Sequence, residues 1–228
     1  MDSQLQFDVV TLFPSLLEGV VEESIIGRAV RNGKVRIGVH NLRDWAEGPH
    51  QMTDDRPFGG GAGMVLKPEP LFGAIESLKR EHSTIVYMSP DGANLTTPLA
   101  RELSEEQHLV VISGHYEGID QRVRDELVDR EVSIGDYVLT NGTLAAAVLI
   151  DAVSRFIPGV LGKEESLDQD AFADNLLGHP QYTRPADFRG MKVPEVLLSG
   201  HHGSISDWRQ QCRVDKTSRR RPELLTSN

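Results

Sequence analysis

Short apolar runs alternate with stretches of helical period along most of the chain. Phe7–Leu12, Val35–Leu42, Thr84–Met88, Leu109–Ser113 and Val132–Leu139 are rich in β-branched and apolar residues and are read as strands. Between them, Leu71, Ala74, Ile75 and Leu78 share one face of a helix predicted over Pro70–Arg80. Thr97 followed by Pro98 reads as an N-cap with proline at the first helical position, ahead of Leu99 and Leu103. Thr143–Phe156 is apolar nearly all round, so a helix buried on several sides is expected there, in a core or a subunit interface. Strands alternating with helices predict an α/β fold around a mostly parallel sheet.

After Pro158-Gly159 the pattern changes. Lys163–Asp170 is polar and acidic, with Glu164, Glu165, Asp168 and Asp170, and reads as a linker. We therefore expect a large domain over 1–162, a flexible linker over 163–174 and a small helical domain over 175–228. In the last of these, Ser204 to Asp207 has the spacing of a capping box opening a basic helix that contains Trp208.

Length and composition agree with this division. A chain of 228 residues, 39% hydrophobic, can bury a sizeable core as one large domain with a small appendage. The longest apolar stretch, Leu144–Ile150, falls far short of the roughly 20 residues that cross a bilayer, and Met1-Asp2 lacks a basic signal-peptide head. A cytoplasmic protein without a membrane partner is expected. The single cysteine, Cys212, excludes an internal disulfide and a multi-cysteine zinc site.

Charge divides the chain unevenly. A net charge of −10 argues against a protein that coats nucleic acid through a generally positive surface. From Asp207 to Glu223, however, six basic residues (Arg209, Arg213, Lys216, Arg219, Arg220, Arg221) face three acidic ones. That segment is either a solvated helix face with a basic tail or a local site for a polyanion.

The candidate chemistry lies in loops. Arg56-Pro57-Phe58-Gly59-Gly60-Gly61-Ala62-Gly63-Met64 holds four glycines in five positions, which permits backbone approaches that side chains would block. Its spacing fits neither the dinucleotide nor the Walker pattern. Three further loops follow predicted strands: Ser89–Gly92, Gly114–Asp120 and Ile134–Gly142. Each alone is read as a turn with a helix cap. Together they could converge on one small molecule at the carboxyl ends of the strands.

At these residues the sequence resembles a known family. Asp54-Asp55-Arg56-Pro57 running into the glycine loop, Tyr116-Glu117-Gly118-Ile119-Asp120, the string Ser133–Leu139, the string Ser154–Gly162, Tyr182-Thr183-Arg184-Pro185 and Arg221–Leu225 look like the TrmD family of tRNA (guanine-N1)-methyltransferases. The likeness runs in order over nearly the whole chain. It implies a SPOUT-class α/β fold with a C-terminal trefoil knot forming an S-adenosylmethionine pocket, and a homodimer whose active site lies at the subunit interface. It also implies methyl transfer to N1 of guanosine 37 of tRNA, beside the anticodon.

The residues that match carry the expected roles. Asp170 is similar to the family's catalytic base and Arg155 to the arginine that stabilises charge on the guanine, a role suited to its permanently charged planar fork. Without the resemblance Asp170 reads as one acidic residue of a solvated linker. The cofactor pocket implied comprises Tyr87, Met88, Ser89, Pro90, Gly114, Tyr116, Glu117, Ile134, Gly135, Asp136, Tyr137, Val138, Leu139, Asn141 and Gly142. Asp55, Arg56, Gly60, Gly61, Arg184 and Arg209 are implied for the tRNA. Magnesium is a further cofactor that the resemblance raises, with Glu117 as the carboxylate to assist it, though the sequence itself places no metal and His201-His202 lacks the spacing of a helical two-histidine site.

The chain departs from the family pattern at three places: His115 for the usual Arg, Asn141-Gly142-Thr143 for Gly-Gly-Glu, and Gly178-His179-Pro180-Gln181 for Asp-Cys-Pro-His. Two alternatives stay open at this point. One is a catalytically silent RNA-binding or scaffold protein of the same fold; the other is an α/β enzyme of small-molecule metabolism, which the acidic net charge favours.

Overall fold

The computed structural model describes residues 4–162 and 170–226 and divides into two compact units, Met1–Gly162 and Lys163–Asn228. The first is built on five parallel strands: β1 (Leu5–Thr11), β2 (Val35–Asn41), β5 (Ser83–Asn94), β6 (His108–Ser113) and β7 (Arg130–Ser133), in the order β2-β1-β6-β5-β7. The α/β class with a parallel central sheet is thus as expected. A two-stranded hairpin, β3 (Asp54–Asp55) with β4 (Val65–Leu66), stands apart from the sheet and closes the glycine loop.

Period-two alternation divides the side chains of each strand between two faces. Phe7, Val9, Val86, Met88, Leu109 and Val111 pack on one face, beneath α1 (Ser15–Glu22), α2 (Ser24–Arg31), α4 (Thr97–Ser104) and α6 (Thr143–Ser154). Val10, Ile85, Tyr87, Val110 and Ile112 pack on the other, against α3 (Pro68–Leu78) and α5 (Gln121–Leu127). The result is a three-layer α/β/α unit with a core on each side of the sheet.

Several elements differ from the sequence reading. Thr96 rather than Thr97 caps α4, accepting a hydrogen bond from the Leu99 amide at 3.4 Å, and Pro98 sits at the second helical position. β7 ends at Ser133, because Ile134–Leu139 leaves the sheet as a loop. β5 continues past Met88 to Asn94, since Met88 and Ala93 both pair with Val132 and Ser89–Gly92 bulges between them. On α6, Leu144 and Val148 are exposed although the helix is apolar nearly all round.

In the second unit a short hairpin, β8 (Asp187–Phe188) with β9 (Met191–Lys192), precedes the helices Glu195–Leu198 and His202–Arg220. The long helix starts at His202, ahead of Ser204, so the proposed capping box does not open it, and no side chain caps its first turn. Of the predicted linker, 163–169 lies outside the described residues. Its remainder is tied down: Asp174 pairs with Arg213 on the long helix, and the Phe172 amide donates to the Leu176 carbonyl at 2.8 Å.

A buried polar cluster sits within the sheet of the first unit. Asp8 Oδ1 and Oδ2 lie 2.7 Å from His40 Nε2 and His108 Nε2, and Gln6 donates to Oδ2 at 2.7 Å. Gly38, the register partner of Asp8 on β2, has no room for a side chain, since a Cβ there would lie 2.3 Å from Asp8 Oδ1. Burial, the largest influence, pushes the Asp8 carboxyl up, but the hydrogen bonds and charge of the two histidines outweigh it and leave it below its ordinary 3.8. The stability it contributes is therefore complete above 3.8 and is lost as pH falls through the lower folded value. Asp8→Asn is expected to lower stability by about 1–3 kcal/mol at neutral pH. Urea denaturation of both proteins should show that difference shrinking only at the acid end; a difference constant down to about pH 3 would contradict this account.

Candidate active site

The three strand-following loops meet at the carboxyl edge of the sheet. Ser89–Gly92 bulges out of β5, Gly114–Asp120 leaves β6 and Ile134–Gly142 leaves β7, and together they enclose a cleft of about 300 Å³. It is lined by Tyr87 to Pro90, by Gly114, Tyr116 and Glu117, by Ile134 and Gly135, by Tyr137 to Leu139, and by Asn141 and Gly142. Of the expected pocket residues only Asp136 falls outside the lining. It is the central residue of a tight turn closed by the Tyr137 amide on the Gly135 carbonyl at 2.8 Å, and it is exposed.

Two glycines decide the shape of this cleft. The Gly142 amide donates to the Gly114 carbonyl at 2.8 Å, and a Cβ on Gly142 would lie 2.9 Å from the Gly114 nitrogen. Gly92 is tighter still, for a Cβ there would come within 2.4 Å of backbone atoms of Glu131 and Val132. Immediately after Gly142, the buried Thr143 hydroxyl meets Thr11 Oγ1 at 2.8 Å and Ser113 Oγ at 3.0 Å, tying the start of α6 to the ends of β1 and β6. Asn141 accepts the Thr143 amide at 3.0 Å, so the Asn141-Gly142-Thr143 departure is built into this joint. A second departure, His115, packs edge-on to Phe13 and lies 3.0 Å from the Thr140 carbonyl.

One lining residue that the sequence did not signal is Arg124. Its guanidinium holds Glu131 with two hydrogen bonds at 2.9 and 2.7 Å, reaches Asp91 at 3.3 Å and lies over the Tyr87 ring. Hydrogen bonding to Glu131 raises the Arg124 pKa, while burial raises that of the Tyr87 phenol. The arginine thus links α5, β7 and the Ser89–Gly92 bulge. Its partners lie on separate elements, and no local spacing announces them.

The glycine loop borders the same cleft. The Glu117 amide donates to the Met64 carbonyl at 3.0 Å, and the Leu66 amide to the Gly118 carbonyl at 3.0 Å. Gly63 has a positive φ of 83°, and a Cβ on it would strike the Glu117 side chain. Asp55, Arg56, Gly60 and Gly61 are all exposed, as is Phe58. Arg155 caps the end of α6, and Asp170 is half-buried in the second unit. Arg184 and Arg209 line a separate cleft within that second unit.

Backbone-rich walls, glycine approaches and exposed tyrosines fit a small amphipathic molecule such as S-adenosylmethionine. Magnesium fits less well. Among the described residues no three His, Cys, Asp or Glu side chains converge, and no step is assigned to a metal. No helix among the described residues is long and apolar enough to cross a membrane.

A parallel sheet carrying a loop-lined cleft at its carboxyl edge defines an α/β ligand-binding domain. The chain belongs to the tRNA (guanine-1)-methyltransferase TrmD family, whose model matches residues 5–227. It is similar to the tRNA (guanine-N(1)-)-methyltransferase of Geobacter sp. (strain M21), 52% identical over 223 residues covering 97% of this chain and 90% of that protein. The relative of that name from Geobacter sulfurreducens is 53% identical over 97% of this chain and 91% of its own. That of Ruminiclostridium cellulolyticum is 51% identical over 97% and 96%.

Gly92→Ala should strike backbone that cannot move aside, and we expect it to cost about 1–3 kcal/mol. Gly59→Ala serves as the comparison: its site is open space, though its positive φ of 85° makes any side chain strained. Chemical denaturation of the two variants checks this, and a Gly92→Ala protein as stable as wild type would refute the close packing described.

Proposed function

We propose that the protein transfers a methyl group from S-adenosylmethionine to N1 of guanosine 37 of tRNA. The observation that carries this is the meeting of three separate loops in one glycine-walled cleft, in a chain of the TrmD family. The names of its relatives favour an RNA substrate over a small metabolite. The first unit is read as the cofactor domain and the second as a small helical tRNA-binding domain. The passage of Gly142 tight against Gly114, after the loop has left β7, supports a trefoil-knotted pocket of the SPOUT kind.

S-Adenosylmethionine supplies an electrophilic methyl group on its sulfonium. The chain must hold it, exclude water and prepare the guanine. The lining residues from Tyr87 to Gly142 named above are assigned the first two tasks. N1 of guanine carries a weakly acidic proton, so a positioned base has to take it before nitrogen can act as nucleophile. That base is assigned to the Asp170 carboxylate. Removing the proton moves negative charge towards O6, where the Arg155 guanidinium is assigned to donate hydrogen bonds.

Asp55, Arg56, Gly60 and Gly61 are assigned to the substrate side of the cleft, with Arg184 and Arg209 holding tRNA on the second unit. A homodimer with its active site between subunits is supported by the exposed Leu16, Leu144 and Val148 on α1 and α6. The working compartment is the cytoplasm, where the tRNA substrate would be met.

Mass spectrometry of a guanosine-37 tRNA incubated with the protein and S-adenosylmethionine should find N1-methylguanosine; its absence would sink the reading. Asp170→Asn should bind S-adenosylmethionine normally in calorimetry and lose about 10²–10⁴-fold in turnover. Arg155→Gln should lower kcat by about 10²-fold with little change in cofactor affinity. Full turnover by Asp170→Asn would remove that residue as the base.

A further inference from the structure

The second unit contains a cleft of about 350 Å³ that cofactor chemistry leaves unexplained. Half-buried Val193, Leu197 and Ile205 give it an apolar wall, and Tyr182 lines it with about half of its surface exposed (49%). Trp208 lies beside Tyr182, with ring centroids 6.5 Å apart and planes inclined at 49°. The chain leading into the cleft is clamped to the long helix. Lys216 Nζ donates to the Gly178 carbonyl at 2.9 Å, and the Leu177 amide donates to Thr217 Oγ1 at 2.9 Å.

Two guanidiniums complete the lining, Arg184 and Arg209. Neither is engaged by a hydrogen bond or ion pair with any described residue, whereas Arg213 and Arg221 of the same unit are paired with Asp174 and Glu223. An aromatic ring on an apolar wall, flanked by two uncommitted arginines, matches a nucleotide: a flat base to stack and phosphates to neutralise. Within a duplex both faces of a base are already covered by its neighbours. The chemistry therefore selects an unpaired nucleotide. The locally basic stretch Asp207–Glu223, in a chain of net charge −10, puts the polyanion on this unit.

We propose that this cleft takes one unstacked base of single-stranded RNA against Tyr182, with adjacent phosphates on Arg184 and Arg209. This rests on the tRNA reading above and narrows it to a loop nucleotide as the feature the second unit grips.

The test uses the full-length protein and two synthetic probes, an anticodon stem-loop RNA and a fully paired RNA duplex of the same length. Tyr182→Leu keeps apolar volume but removes the stacking plane, and should weaken stem-loop binding about 10-fold without changing duplex or S-adenosylmethionine binding. Tyr182→Phe should bind the stem-loop like wild type. Arg184→Gln and Arg209→Gln should each flatten the slope of log affinity against log salt by about one. The proposal is overturned if Tyr182→Leu binds the stem-loop like wild type, if Tyr182→Phe loses as much as Tyr182→Leu, or if the wild type binds neither RNA. A methylation assay run alongside separates the two claims. N1-methylguanosine formation together with unaltered stem-loop binding by Tyr182→Leu refutes the cleft and leaves the function standing. Binding that depends on Tyr182 without any N1-methylguanosine does the reverse.

Discussion

The site depends on a single close approach of backbone to backbone. After β7 the chain arches away from the sheet and returns so that Gly142 lies on Gly114, amide to carbonyl at 2.8 Å. On one side that contact holds up the Ile134–Asn141 arch, and on the other it launches α6 through the buried hydroxyls of Thr11, Ser113 and Thr143 into the core. A side chain at position 142 would wedge the two segments apart. The pocket is a consequence of absent atoms at Gly92 and Gly142 as much as of the residues present.

The same economy governs the polar groups of the first unit. Asp8 is accepted in the sheet because His40, His108 and Gln6 all reach it, and because Gly38 leaves space beside it. Arg124 is accepted at the cleft because Glu131 and Asp91 take its donors. In the second unit the pattern is broken, for among the described residues Arg184 and Arg209 have no hydrogen-bond or ion-pair partner where Arg213 does. Uncompensated cations are what a partner rich in phosphate would complete.

Much of the first unit was legible in the sequence because its strands are apolar runs and its helices have clear faces. That three loops after strands could meet at one ligand was legible from the pattern, whereas the individual pocket residues came from the family resemblance, and all of them but Asp136 line the cleft. What escaped notice depends on distant partners. Pro90-Asp91-Gly92 reads as a turn, yet β5 resumes beyond it, since Ala93 and Asn94 find β7 across the bulge. Ser204 and Asp207 have capping-box spacing, but the helix had already begun at His202. The Asp8 cluster joins residues 32 and 100 positions apart, and no local pattern can encode such a pairing.

The strand order has a kinetic side. β1 is made first and lies between β2 and β6, with Gln6 opposite both Arg36 and His108. As the chain leaves the ribosome, β1 and β2 can pair early, but the other edge of β1 remains open until β6 has been synthesised. Closing so long a loop costs chain entropy before any contact rewards it, which makes parallel sheets of this kind slow to form. Until β6 arrives, the backbone of Phe7 and Val9 presents an unpaired strand edge. That interval, rather than the finished fold, is where this chain is most exposed to aggregation.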